Sequence, residues 1–258
     1  MAGALRILLT NDDGVDAPGI AVLRKIALEL SDDVWVVAPD GNQSGAGHRF
    51  TFGRELEAKE RDARVFAIDG ASPADCVVYG CTHLLKDRLP DLVLSGVNNG
   101  QNLGDIIHCS GTAAGAREGA LQGAIGIALS QAVDYIHGYD VVWENAARYG
   151  AEVVRQILAG ADGRDTFYNV NFPLGEPDEV SGIRVVPPQR FSRSPFRYYQ
   201  SQNPDKFFVA VPETPMPLDR HADFEVLTRD RAITVTPISL VQTDTGALAR
   251  LEGKLRLG

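Results

Sequence analysis

The sequence predicts an α/β fold: a mostly parallel sheet covered by helices on both faces, followed by an extended C-terminal arm. Short apolar runs alternate with segments of helical period through most of the chain, the pattern of strands linked by helical crossovers. The strand-like runs are apolar on successive residues, so both faces of the sheet are expected to be buried. Beyond Gly182 the pattern breaks. Prolines at 187, 188, 195, 204, 212, 215 and 217 interrupt it, aromatics cluster, and alternation replaces the helical period.

Leu5–Thr10 is a short apolar run that ends in Asn11-Asp12-Asp13-Gly14, a buried strand entering a turn. Pro18–Leu30 starts on a proline and carries Ile20, Leu23, Ile26, Ala27 and Leu30 on one helical stripe. Val34–Ala38 is a second strand, stopped by Pro39-Asp40-Gly41. Val65–Ile68 and Leu92–Ser95 read as further strands, with a helix over Ala74–Leu85 between them. An Ala-rich helix follows Ser110-Gly111-Thr112 as far as Gln122, then a strand at Ile125–Leu129, an amphipathic helix over 139–158 and a strand at Phe167–Asn171. Residues 1–181 are thus expected to form the core. Residues 182–258 are expected to form a hairpin or arm, with Arg231–Pro237 returning to the sheet as a strand.

Composition limits the function. Charge counts of 25 Lys+Arg against 34 Asp+Glu give a net of −9, which argues against a protein that coats nucleic acid through a basic face. No stable nucleic-acid complex is expected, although a bound cation can still offset the phosphate of one nucleotide. No apolar run reaches the roughly 20 residues of a membrane helix. The three cysteines, Cys76, Cys81 and Cys109, have neither disulfide-scaffold nor zinc-ribbon spacing. With no visible signal peptide, the reading is a soluble protein of the reducing cytoplasm.

In an open parallel sheet, ligands bind beyond the carboxyl ends of the strands. Four polar, Gly-rich segments fall there: Asn11–Gly14, Pro39–Gly45, Ser95–Gly100 and Ser110–Thr112. Asp12 and Asp13 are adjacent carboxylates at the end of a buried strand, and they repel each other unless a positive charge intervenes. A hard divalent cation resolves that conflict; a plain strand-ending turn is the competing account. The Ser44 hydroxyl is a candidate neutral ligand, in a loop equally readable as plain surface. His48 is a candidate phosphate contact or a merely solvated residue. Asn98 and Asn99 can give a carbonyl to a metal and an NH₂ to an anion, or can simply serve a Gly/Asn turn. Ser110-Gly111-Thr112 opens a helix whose free amides suit a phosphate, and Ser110 or Thr112 can cap that helix as well.

Familiar alternatives are missing. The sequence contains no P-loop, no complete G-x-G-x-x-G after a strand, no G-x-S-x-G elbow and no H-E-x-x-H. A phosphatase with an aspartyl nucleophile would typically carry Asp-x-Asp after its first strand, whereas Asp12 and Asp13 are adjacent and point in different directions.

Together the motifs resemble those of the SurE (survival protein E) nucleotidases. Leu8-Leu9-Thr10-Asn11-Asp12-Asp13-Gly14 with Ala17-Pro18-Gly19 is similar to the family's opening, as is Val37-Ala38-Pro39-Asp40 with Gln43-Ser44-Gly45-Ala46-Gly47-His48. Gly70-Ala71-Ser72-Pro73-Ala74-Asp75-Cys76-Val77, Ser95-Gly96-Val97-Asn98-Asn99-Gly100-Gln101-Asn102-Leu103-Gly104 and Ser110-Gly111-Thr112 follow in family order. The Asn169–Pro173 segment and Asp223 with Thr234–Pro237 match more loosely. One departure is Cys109, beside His108, where the family often has Tyr.

The resemblance implies a Rossmann-like three-layer αβα core. It also implies a metal-dependent phosphatase that hydrolyses nucleoside 5′-monophosphates, and 3′-monophosphates as a possible extension. One divalent cation per subunit (Mg²⁺ or Mn²⁺, with Ca²⁺ or Co²⁺ as alternatives) would be held by Asp12, Asp13, Ser44 and Asn98, with Asp12 and Asp13 also catalytic. Phosphate contacts would fall on Asn99, Ser110, Gly111 and Thr112. Family members form dimers or tetramers through an exchanged C-terminal arm, and here Arg190–Tyr199, which interleaves Arg with aromatics, suits an oligomer contact. A broader phosphatase or exopolyphosphatase, and a non-catalytic nucleotide sensor, remain as alternatives.

Overall fold

Strand β1 (Arg6–Thr10) enters the sheet directly, because Ile7, Leu8 and Leu9 are wholly buried on successive residues. In the computed structural model, which describes residues 4–134, 138, 141–161, 165–211, 214 and 216–255, β1 runs parallel to β2 (Asp33–Pro39) on one side and to β5 (Leu92–Asn99) on the other. Beyond β2 lie β4 (Val65–Ile68), parallel, and β3 (Ala58–Asp62), antiparallel at the edge. Beyond β5 lie β6 (Ile125–Gln131) and β7 (Thr166–Phe172), both parallel. The sheet closes with β11 (Ile233–Ser239), antiparallel to β7, and the short β8 (Ile183–Val185), giving nine strands in the order β3-β4-β2-β1-β5-β6-β7-β11-β8.

Helices cover both faces. On one, α1 (Pro18–Leu28) and α4 (Glu144–Gly160) pack over Ile7, Leu9, Leu92 and Leu94. On the other, α2 (Pro73–Tyr79) packs over Leu8, Val37 and Val93, with α3 (Gly111–Leu121) beside it. The small residues of α3 let it approach the sheet closely: a Cβ on Gly119 would lie 2.4 Å from Val93 Cβ. This is the Rossmann-like three-layer arrangement. Among the described residues no helix is long and apolar enough to cross a membrane.

Three local features differ from expectation. Strand β3, Ala-Lys-Glu-Arg-Asp, is charged and largely exposed, so it shows no apolar signal and forms through its backbone pairing to β4. The helix expected over Ala74–Leu85 starts at Pro73, where Ser72 and Asp75 form a capping box, and becomes a π-helical turn at Gly80–Leu84. Gly80 lies close over Leu8, where a Cβ would come within 2.7 Å of Leu8 Cδ2. Helix α1 ends at Leu28, and Leu30 packs on the core from outside the helix. The α4 start expected at 139 lies outside the described residues.

Residues past 182 contribute β8 and β11 to the main sheet, together with α5 (Asp223–Thr228) and α6 (Thr245–Leu251). They also form a separate hairpin of β9 (Arg197–Gln200) and β10 (Phe207–Ala210), which pair only with each other. The root of the hairpin is fixed to the core by Asp223, which is fully buried; one carboxylate oxygen accepts from Gly104 N and the other from Gln189 N, both at 2.8 Å. Asp105, the residue after Gly104, accepts from Phe191 N at 2.9 Å. The segment leading into α3 and the base of the hairpin are therefore one bonded unit. Asp223→Ala would orphan two amides, and urea unfolding is expected to show a loss of roughly 2–4 kcal/mol with unchanged far-UV circular dichroism.

Candidate active site

The strand order reverses between β1 and β5: the chain moves outward through β2 and β4, then returns to build β5, β6 and β7. Such a switch point opens a crevice at the carboxyl ends of the two strands, and Asn11–Gly14 and Asn98–Gly100 fall there. Asn11 shapes the first turn. Its buried amide donates to Gly14 O at 2.8 Å and accepts from Gly14 N at 3.2 Å. Gly14 has φ +109° and lies against Gly41, so the turn requires glycine on both conformational and steric grounds.

Asp12 is the most constrained residue of the site, 5% exposed. Its Oδ1 accepts from Thr112 Oγ1 at 2.7 Å, and the Thr112 backbone amide also holds the carboxylate. Gly111 leaves room for it, since a Cβ there would lie 2.8 Å from Asp12 Cβ. Burial pushes the Asp12 pKa up to about 6; the Thr112 bonds oppose that rise and the neighbouring Asp13 charge adds to it. Ser110 is the helix cap, its Oγ accepting from Ala113 N at 3.0 Å. Thr112 thus serves Asp12 while Ser110 caps. Part of the α3 N-terminus is occupied by Asp12 itself, and the Gly111 amide has no hydrogen-bond partner among the described residues.

Asp13 is half-buried, and its Oδ2 accepts from Asn99 N at 3.2 Å, which joins the β1 turn to the end of β5. Burial raises its pKa as well. The Asn98 NH₂ donates one hydrogen to Gly100 O at 2.6 Å, which orients the amide; its second hydrogen and its Oδ1 stay available. Ser44 is exposed on the loop after β2. That loop is fixed at Gln43, whose amide donates to Asp12 O at 2.7 Å, and at Gly47, whose amide donates to Cys109 O at 3.1 Å. Direct bonds therefore unite Asp12, Asp13, Asn99 and Thr112. Ser44 and Asn98 flank them as chain neighbours of Gln43 and Asn99.

Among the described residues, no Lys, Arg or His forms an ion pair with Asp12 or Asp13. Nor do three His, Cys, Asp or Glu side chains gather as a metal cluster. Two carboxylates without a counter-charge among the described residues, with the Ser44 hydroxyl and the Asn98 amide oxygen on adjoining loops, offer oxygen donors of the kind a hard divalent cation takes and zinc takes less readily.

Other candidates have structural tasks. His48 Nε2 lies 2.9 Å from Glu118 Oε2, a pair that ties the Ser44 loop to the side of α3, and Gln122 donates to the other Glu118 oxygen. Asn169 and Asn171 fasten the chain at Asn102: both donate to Asn102 O, and Asn171 Oδ1 accepts from Asn102 N. One feature gave no sequence signal. A groove of about 290 Å³ opens beside Asp13 and Asn99, lined also by Ala17, Pro18, Gly19, Val141 and Trp143.

Comparison with known proteins shows what the chain is similar to. A family model described as survival protein SurE matches residues 7–194. A protein named 5′-nucleotidase SurE from Methylobacterium nodulans is 43% identical over 250 residues, 95% of this chain and 98% of its own length. One of the same name from Rhodopseudomonas palustris is 41% identical, covering 97% of this chain and all of its own. The crystal structure of a SurE protein from Aquifex aeolicus superposes with a TM-score of 0.82 at 33% identity, covering 96% of this chain and 98% of that one.

The raised Asp12 pKa has a signed consequence. The folded metal-free protein binds the Asp12 proton below about 6, whereas an unfolded chain binds it only near 3.8. Stability of the metal-free protein is therefore expected to rise as pH falls from 7 to 5, by about 1 kcal/mol from this group. Thermal unfolding in EDTA across that range checks it, and Asp12→Asn is expected to remove the rise.

Proposed function

The chain belongs to the SurE family, and from that premise we propose that it is a divalent-metal-dependent phosphomonoesterase that hydrolyses nucleoside 5′-monophosphates to nucleoside and phosphate. The observation that carries this reading is the pair of uncompensated carboxylates at the β1/β5 switch point, one of them buried against the start of α3.

Asp12, Asp13, Ser44 and Asn98 would hold one cation per subunit, Mg²⁺ or Mn²⁺ by the hardness of the donors, with Ca²⁺ or Co²⁺ as alternatives. When bound, that cation supplies charge neutralisation at the phosphoryl oxygens and acidifies water at neutral pH. Asp12, held by Thr112 on one oxygen, is fixed as a ligand. Asp13 is more accessible, and its carboxylate is aimed by the Asn99 amide, so it is the group we assign to orienting the attacking water and taking its proton. The water oxygen would bond to phosphorus as the P–O5′ bond breaks; Asp13 takes one proton from that water, the departing O5′ takes one from solvent, and Asp13 then returns its own to solvent. The Asn99 side chain and the Gly111 amide, with Ser110 and Thr112 around them, would receive the phosphoryl oxygens as their charge grows.

Phosphate release from a panel of 5′- and 3′-nucleoside monophosphates, sugar phosphates and polyphosphate, with and without EDTA, tests the reading. Activity on 5′-monophosphates is expected, lost in EDTA and restored by Mn²⁺ or Mg²⁺. Asp12→Asn should abolish it with the fold intact, and Asn99→Ala should lower kcat by about a hundredfold. Binding without phosphate release would identify a nucleotide sensor instead.

The β9–β10 hairpin leaves Tyr198, Phe207, Phe208 and Val209 well exposed, which supports an arm that another copy covers, as a homodimer or homotetramer. Free thiols at Cys76, Cys81 and Cys109 accord with a cytoplasmic enzyme. Size-exclusion chromatography with light scattering is expected to show the oligomer, and Phe207→Ser with Phe208→Ser should shift it towards monomer. A clean monomer for the unaltered chain would overturn the arm assignment.

A further inference from the structure

The groove beside Asp13 and Asn99 lies on the α1/α4 face of the sheet, whereas Ser110–Thr112 lie on the α3 face. The two features meet at the rim formed by the Asp13–Asn99 contact. A ligand whose phosphate sits at the rim must send the rest of its body somewhere, and this groove shares that rim.

The chemistry of the walls decides what that body is. Among the described residues that line it the groove has no Lys, Arg or His. Away from Asp13 and Asn99 its side chains are apolar, and one is an indole. Trp143, at the start of α4, has its ring edge against α1: a Cβ on Gly19 would lie 3.2 Å from Trp143 Cη2. Ala17 and Pro18, at the start of α1, line the same groove and bring no bulky side chain into it. At about 290 Å³ the groove is near the lower end of small-ligand sites, roughly 300 Å³, which suits one base with its sugar and not an oligomer. Among the described residues, Ala17, Pro18, Gly19 and Val141 between the rim and Trp143 carry no hydrogen-bonding side chain.

We propose that this groove seats the nucleobase of the substrate on Trp143 by stacking alone. This rests on the phosphomonoesterase reading and deepens it. Purine and pyrimidine 5′-monophosphates are both substrates, and a sugar phosphate without a base is a weaker one. Trp143 is then a specificity residue that acts on the nucleoside half and leaves the reacting phosphate untouched.

The test compares AMP, CMP and ribose 5-phosphate in the Mn²⁺-loaded protein. Trp143→Ala is expected to lower kcat/KM for AMP and CMP by about tenfold, the order of one lost base–aromatic stack, and to leave ribose 5-phosphate unchanged. Trp143→Phe should recover most of the loss. Ala17→Phe, which fills the groove at an extended backbone position, should reproduce the selective loss if Trp143→Ala fails to fold.

A binding readout is independent of turnover. The chain has two tryptophans, so Trp35→Phe leaves Trp143 as the sole indole, and adenosine should quench it while ribose does not. Equal losses on all three substrates, no loss on the nucleotides, or no quenching would overturn the proposal. If the unaltered protein hydrolyses none of the three, the phosphatase reading fails, and quenching by adenosine still decides the groove.

Discussion

A buried carboxylate must be solvated by something, and in this chain the whole site is arranged around how that is done for Asp12. The Thr112 hydroxyl and amide supply part of the solvation, from the first turn of a helix whose Gly111 leaves room for the approach. The rest is left open, with a second carboxylate beside it and, among the described residues, no basic side chain paired to either. Such a pair is costly when empty, because each charge sits in poor solvent next to a like charge. The helix start meets the Asp12 side chain through Thr112, and the loop after β2 is tied to its backbone carbonyl through the Gln43 amide. A cation converts the same arrangement from conflict to attraction, which is why the geometry and the proposed chemistry are one argument.

The scaffold holds the site by backbone more than by side-chain ion pairs. Asn11 closes its turn through both groups of one amide. Asn102 is gripped by Asn169 and Asn171 from the end of β7, so the segment running from β5 to α3 is anchored near its start. Near Gly104 the same segment is bonded to Asp223, and through Gln189 to the base of the hairpin. The C-terminal region therefore reaches the site's connecting segment through buried hydrogen bonds. A partner copy covering the hairpin would press on a unit that ends only a few residues before Ser110.

The parallel core was legible in the sequence because a strand buried on both faces has no polar residues to blur it; Ile7–Leu9 and Leu92–Leu94 could hardly be read otherwise. Strand β3 was invisible for the opposite reason, since an exposed edge strand needs only backbone pairing and can spell Lys-Glu-Arg-Asp. At the site, the loops were legible because Asn, Asp and Gly punctuate strand ends, but the roles within them were not. Sequence offered Ser110 and Thr112 alike as helix caps, and the fold divides them, Ser110 capping Ala113 N and Thr112 bonding Asp12. Sequence left His48 as a candidate contact, and the fold gives it to Glu118, 70 residues away. Partnerships of that separation depend on register and packing, which no local pattern encodes.

Trp143 shows the same limit from the functional side. As a residue at the start of an amphipathic helix it reads as part of the core stripe, and its ring edge does pack against Gly19. Only the crossing of α4 over the start of α1 makes it also one wall of an open groove next to Asp13. The division of labour that results follows from the sheet itself. Charged chemistry gathers at the α3 face, where a helix start and buried carboxylates meet, and apolar recognition gathers at the α1/α4 face, where two helix starts leave a gap. The Asp13–Asn99 contact is the hinge between these environments, so a ligand that satisfies both must be anionic at one end and flat and apolar at the other.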